Sequence, residues 1–274
     1  MTTVRLARPW WWLTATAAFL AAGAGVTALF ASDRVYEHET VALADAATAQ
    51  DIAMVLLAAP LLILLGSRAR RGSPVAFLCL PGCLAFAAYN YAIYAFSIHF
   101  GPLFLIWVAI LGLSTFALAG TLATADQARI KLLFADRSMR VPGWFLVAVA
   151  ALFAALWLSE IGSDLLAGEL SRSADDWKVP TNPVHVLDLA FFLPAAIASG
   201  ILLLRRHPLG YATVAGQLVW FALTCVPILI TPLVASARGH ESGWAVTLPI
   251  GALLLAILAV LRRVLRRPLA VAPG

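Results

Sequence analysis

The chain has 274 residues, 62% of them hydrophobic and only 12% charged, with a mean hydropathy of +0.90. A soluble domain carries roughly twice that charged fraction, so long apolar runs rather than one globular core must dominate the fold. The net charge of +5 would suggest nucleic acid in a soluble protein, but no basic arm with interleaved aromatics occurs outside the loops, where membrane proteins collect Lys and Arg anyway, and nucleic-acid binding is set aside.

Arg5 and Arg8 precede a chargeless run from Trp10 to Ala31, long enough to cross a bilayer as a helix and opened by a Trp10-Trp11-Trp12 belt. That run is longer than the apolar region of a cleaved signal peptide, so a retained first span is expected. Ala17, Ala21 and Gly25, four residues apart, form a small-residue stripe suited to close helix packing. Residues 33–51 are acidic, with Arg34 the lone Lys or Arg. A second span then runs to Gly66 over Pro60 and ends at Arg68, Arg70 and Arg71. The third, Val75 to Ser97, finishes in Tyr89-Asn90-Tyr91 and Tyr94. His99 and Gly101-Pro102 make a tight link to the fourth, Leu103 to Ala125. After a basic loop, the fifth span, Trp144 to Ser159, runs into Glu160 and Asp164. The sixth is Asn182 to Arg206, the seventh Leu209 to Ala235 and the eighth Trp244 to Leu261.

The expected fold is therefore all-α, a polytopic transmembrane helix bundle of eight spans forming a single transmembrane domain. With eight spans both termini share one face. That face and its loops hold 15 of the 19 Lys and Arg residues, while 12 of the 14 acids lie on or near the other. The positive-inside rule then places both termini in the cytoplasm.

Spans two and six also read alike. Asp51-Ile52-Ala53 matches Asp188-Leu189-Ala190, a proline follows each (Pro60, Pro194), and Arg68 and Arg205 each stand seventeen residues after the Asp. Spans one and five share Pro9-x-Trp11-Trp12-Leu13 and Pro142-x-Trp144-Phe145-Leu146. Separations of 133 to 137 residues suggest a parallel 4+4 repeat of residues 1–140 and 141–274, although spans three and seven align poorly.

Seventeen helical residues rise about 25 Å, a little less than the roughly 30 Å hydrocarbon core. Measured from the arginines, Asp51 and Asp188 sit just inside the outer boundary. Glu160 and Asn90 reach a similar level, with His185 one turn further out and His99 in the outer link. Ordinary explanations exist for each. Asn182-Pro183 is a helix start, and Asp188 suits the positive end of the helix dipole. The tyrosines suit an interfacial belt, and His99 a solvated link. Ionisable groups inside spans are nonetheless costly and tend to be functional. The sharper expectation gathers Asp51, Asn90, Tyr91, His99, Glu160, His185 and Asp188 into one ligand-binding site. Within it His185, Asp188, Asp51 and His99 are candidate metal ligands, an imidazole–carboxylate set suited to Zn, Fe or Mn, and Asn90 and Tyr91 orient them. Prolines in spans two, three, six, seven and eight each free a backbone carbonyl, and Pro227 with Pro232 makes span seven the expected bend.

Cys79, Cys83 and Cys225 form no Cys-x-x-Cys motif and read as small packing residues. Both lysines, Lys131 and Lys178, lie in loops, so no span offers a Schiff-base lysine; Walker, HExxH and Gly-x-Ser-x-Gly motifs are missing. At Gln50-Asp51, Tyr89-Asn90-Tyr91, Asn182-Pro183-x-His185-x-x-Asp188 and Arg205-Arg206-His207-Pro208-Leu209-Gly210, the chain resembles a group of uncharacterised bacterial multi-pass membrane proteins. The resemblance implies the span count and a bacterial inner membrane, and it carries no activity and no cofactor. Three classes stay open. The first is a carrier or sensor binding a small molecule or cation near the outer face. The others are a membrane-embedded enzyme using Asp51, His185 and Asp188, and a structural subunit of a larger complex. The lipid bilayer is the expected partner, and a homo- or hetero-oligomer stays open.

Overall fold

The computed structural model describes residues 4–134 and 137–266; Asp136 and Arg267, counted above among the charges, lie outside them. Eight helices are long and apolar enough to cross a membrane: α1 Arg8–Phe30, α2 Val41–Arg70, α3 Pro74–Ser97, α4 Phe104–Ala123, α5 Arg140–Ala167, α6 Pro183–Leu204, α7 Pro208–Ala237 and α8 Trp244–Leu265. No strand occurs among the described residues. The expectation of an all-helical, eight-helix membrane protein therefore holds.

Helix boundaries depart from the apolar runs in two informative places. α2 starts at Val41, ten residues before Asp51, because Thr40 caps it by accepting the Leu43 N–H and the following Ala-rich stretch favours helix. Asp51 is therefore buried three turns inside a helix, not at its mouth. α5 likewise continues through Glu160 and Asp164 to Ala167, where Gly168 takes a left-handed conformation at φ 68° and closes the helix.

Contacts sort the ends into two sets. At one end the Leu6 N–H bonds Ala69 O, the Arg137 guanidinium bonds Val264 O at 3.0 Å, and Phe134 packs on Tyr211. At the other, His99 meets Glu39, Thr40 Oγ1 donates to Asp176 O, and Asp45 holds Arg238 and His240.

α3 is the centre of the bundle. It packs on α2, α4 and α7 and is buried along almost its whole length, although it is the least hydropathic of the eight. α8 is the most hydropathic, and only Ile257 and Val264 are buried within its main stretch. In lipid, unlike water, the most apolar helix gains nothing by turning inward, whereas small and polar residues gain close packing and hydrogen bonds. Tyr89, Tyr91 and Tyr94 are accordingly buried in the bundle; they do not form the interfacial belt expected of them. The stripe of Ala17, Ala21 and Gly25 does pack. All three are buried, and a Cβ at Gly25 would lie 2.7 Å from Val55 Cγ2.

Proline effects fall elsewhere than expected. α7 stays one unbroken helix despite Pro227 and Pro232. The irregular turns are π turns at Met54–Ala58 in α2 and Asp188–Phe192 in α6, each just before a proline. In each the backbone N–H preceding the proline reaches back five residues, Ala59 to Met54 O and Leu193 to Asp188 O. These two turns start 134 residues apart. The same separation links Pro60 to Pro194, Gly66 to Gly200, Gly72 (φ 88°) to Arg206 (φ 57°), and the helix caps Ser73 and His207. It also links Gly82 of α3 to Gly216 of α7, and these two glycines touch. It pairs Asp51 with His185, one turn away from the sequence match to Asp188.

A Cβ at Gly82 would overlap the Gly216 carbonyl oxygen, whereas one at Gly23 would meet nothing within 4 Å. Gly82→Ala should lower the thermal stability of the detergent-purified protein by about 1–3 kcal/mol, as overpacking does elsewhere. Gly23→Ala should leave it unchanged or slightly raised.

Candidate ligand cavity

A cavity of about 250 Å³ opens among six of the eight spans, in the half of the bundle that holds Asp188. Phe86, Tyr89, Trp157 and Trp220 give it an aromatic wall, and most of the remaining lining is aliphatic. Phe192 stacks on Trp220 at 4.8 Å between ring centroids, and Tyr89 meets both edge-on, which holds that wall rigid.

Four polar side-chain atoms buried in this lining have no hydrogen-bond partner in the protein: Asp188 Oδ1, Asn90 Nδ2, Gln50 Nε2 and Trp220 Nε1. Buried polar groups are nearly always paired, and each unpaired one costs about 1–3 kcal/mol. Asp188 receives the Trp157 indole N–H on Oδ2 at 2.8 Å and interacts with the Tyr89 hydroxyl, while Oδ1, enclosed by its neighbours, has no hydrogen-bond partner of its own. No Lys, Arg or His forms a salt bridge with it among the described residues. A carboxylate at such a site calls for a cation or a proton. The three other atoms are all N–H donors and call for acceptor oxygens.

The second buried acid has a different fate. Asp51 accepts the Tyr36 hydroxyl on Oδ2 at 2.5 Å, and the single Tyr94 hydroxyl proton is shared between Ala47 O at 2.8 Å and Asp51 Oδ1 at 3.2 Å. Tyr36 lies in the turn between α1 and α2. Burial first, and then the Asp51 carboxylate, hold its phenol well above the ordinary range, so it remains a donor at any physiological pH. Asp51 does not line the cavity.

The seven candidates from the sequence divide accordingly. Asp188 and Asn90 share the cavity. Glu160 and His185 stand beside it, 3.8 Å apart, with the His185 ring 4.7 Å from that of Trp157, which bonds Asp188. Tyr91 directs its hydroxyl to Ala21 O and packs edge-on against Tyr94, in the Asp51 group. His99 is apart from both, its backbone N–H and Nδ1 on the Glu39 carboxylate in an exposed link. His185, Asp188, Asp51 and His99 are thus held by different partners. Among the described residues no three His, Cys, Asp or Glu side chains converge to hold a metal. The physical reason is that the four are engaged by different neighbours: Tyr36 and Tyr94 for Asp51, Trp157 for Asp188, Glu39 for His99 and Glu160 for His185.

Several participants carry no signal in the sequence. Trp157 and Trp220 sit in apolar runs as ordinary span residues, and only the packing turns them inward, while Gln50 reads as part of the acidic stretch before the second span. Asp45 is buried in α2, bound by Arg238 Nη1 at 2.8 Å and 2.7 Å from His240 Nδ1, while Arg238 Nη2 reaches Thr48 Oγ1. This tie closes the end of the bundle beside the cavity, between α2 and the link from α7 to α8. One clue was available: Asp45, Thr48 and Asp51 recur at spacings of three on one helical face.

No family model, no curated protein and no solved structure matches this chain.

Tyr36→Phe removes one of the two hydroxyls that satisfy Asp51. Unfolding of the purified variant should show a loss of about 1–3 kcal/mol, the cost of leaving a buried acceptor unpaired.

Proposed function

We propose that this chain is a bacterial inner-membrane carrier or sensor that binds a small organic cation in the cavity beside Asp188. The observation that carries the reading is the convergence of four unpartnered buried polar atoms on one aromatic-walled cavity. Their chemistry defines the ligand. Asp188 is the one carboxylate among the described lining residues and suits an ammonium, the aromatic wall suits the organic part of such a ligand, and Asn90, Gln50 and Trp220 carry N–H donors for an acceptor oxygen. A bare metal ion fits less well, since three of the four groups present N–H rather than a lone pair.

Further features support the arrangement. The excess of Lys and Arg at one end supports cytoplasmic termini and a cavity in the outer half. The common separation of 134 residues supports a parallel repeat. Equivalent residues of a two-fold pair meet on their axis, and the contact of Gly82 with Gly216 is what such a pair would produce. The halves differ where the ligand would enter. α1 and α4 pack tightly, with Trp10 filling the space over Gly120, whereas α5 and α8 touch little, and Phe153 and Trp157 face the cavity on one side with Ile250 and Leu253 on the other. The π turn at Asp188–Phe192 places irregular backbone directly at the site, a common position for such turns in functional helices.

Titrating 2-phenylethylammonium into the purified protein should quench tryptophan fluorescence saturably. The neutral isostere 2-phenylethanol should bind about tenfold or more weakly, and Asp188→Asn should erase that difference, as expected for a charged hydrogen bond. Equal affinity for the two solutes in the unaltered chain rejects the cation reading, and binding of neither rejects the ligand cavity and favours a structural subunit. For orientation, single cysteines at Arg70 and Asp175 in a cysteine-free background should react with an impermeant maleimide from opposite sides of intact vesicles. Reaction from the same side would overturn the threading.

A further inference from the structure

A second concavity, of about 670 Å³, lies at the other end of the bundle, where α6 turns into α7 beside the start of α5. It shares no lining residue with the Asp188 cavity. Lys131, Arg137, Arg140 and Arg206 line it, and no acid is among the described lining residues. None of these four joins a salt bridge among the described residues; Arg137 gives one N–H to Val264 O at 3.0 Å. Under the cations Phe134, Leu203 and Leu204 form an apolar floor. Arg140 opens α5 and Leu204 closes α6, so the concavity sits at the level where span meets headgroup.

The backbone at Arg206 adds an independent clue. Its φ is 57°, a left-handed conformation that costs a residue with a Cβ about 1 kcal/mol or more. The turn 134 residues earlier, between α2 and α3, places Gly72 at the corresponding point, with φ 88°. Glycine would fill the later turn with less strain, yet an arginine stands there and lines the concavity. Retained strain is a pointer to function when a chemical role is visible beside it.

The geometry points to a binding site for a phosphate-bearing anion, with Lys131, Arg137, Arg140 and Arg206 around the phosphate oxygens. Arginine forks match phosphate oxygens in pairs, and basic recesses between spans at the headgroup level suit anionic lipid. An acyl chain would lie over the half-buried Leu204, while a water-soluble phosphate would use the cations alone. The site depends neither on the ligand proposed for the Asp188 cavity nor on which face of the membrane is cytoplasmic.

The test uses the full chain, stripped of lipid in a neutral detergent and titrated with dioctanoyl phosphatidylglycerol, dioctanoyl phosphatidylcholine and sodium phosphate. Binding is read by thermal shift and by native mass spectrometry. Saturable binding of the glycerol lipid, with the choline lipid and inorganic phosphate much weaker, supports the site with a lipid as its source. Equal response to inorganic phosphate supports it with a soluble source. Arg206→Gly is the decisive variant, because it relieves the φ strain: the unliganded protein should be as stable as the unaltered chain or more so. Its affinity for the anion should fall roughly fivefold, with a similar further loss on adding Arg140→Gln, the effect of about one surface cation each. Unchanged affinity in the double variant, or no preference for the anionic lipid or phosphate over the choline lipid, overturns the proposal.

Discussion

Where α3 crosses α7, the backbone of Gly82 rests against the Gly216 carbonyl with no side chain between them. Bilayer lipid supplies no hydrophobic force to push helices together, so a bundle of this kind depends on how closely backbones can approach. This contact makes α3 and α7 the inner pair around which the other spans are hung. It also explains why α3 tolerates three tyrosines, an asparagine and two cysteines along a buried helix: surrounded by protein, those groups never meet lipid. The proposed two-fold relation between the halves is most economical here, since a symmetric pair needs a small residue at its axis from both members.

Polarity within the bundle is handled unequally by the two halves. In the first, Asp51 is satisfied by hydroxyls from Tyr36 and Tyr94, and the surrounding helices close over it. In the second, Asp188 takes the Trp157 indole N–H beside the Tyr89 hydroxyl, and its buried Oδ1 has no hydrogen-bond partner. One half pairs both oxygens of its buried acid and the other pairs one. The tie of Asp45 to Arg238 and His240 then fixes α2 to the link between α7 and α8, so the two halves are joined at the end nearest the cavity.

The same contrast shows how far hydropathy reaches as a guide. It located every span, because crossing a bilayer demands a helix whose apolar length is set by the hydrocarbon thickness. It could not locate the ends where the acids stand. Val41 to Gln50 reads as an acidic loop by charge, yet Thr40 and a run of alanines extend the helix through it. Nor could it rank the spans by burial. Tyr89-Asn90-Tyr91 resembles a belt at the end of a span, and becomes interior only because α3 is enclosed by its neighbours.

From the residues alone came the number of crossings, the asymmetry of charge between the two ends, the close-packing stripe on α1, and the special status of Asp51, His185 and Asp188. These follow from local constraints: the length of an apolar run, the cost of a charge in lipid, the size of a side chain. Which acid would have both oxygens paired and which only one was settled by tertiary packing, because it depends on groups from other helices, Tyr36 and Tyr94 for one and Trp157 for the other. Packing also separated His99 from Asp51 and Asp188, holding it on Glu39 in an exposed link. No pattern along the chain encodes such pairings; they are decided by which surfaces meet.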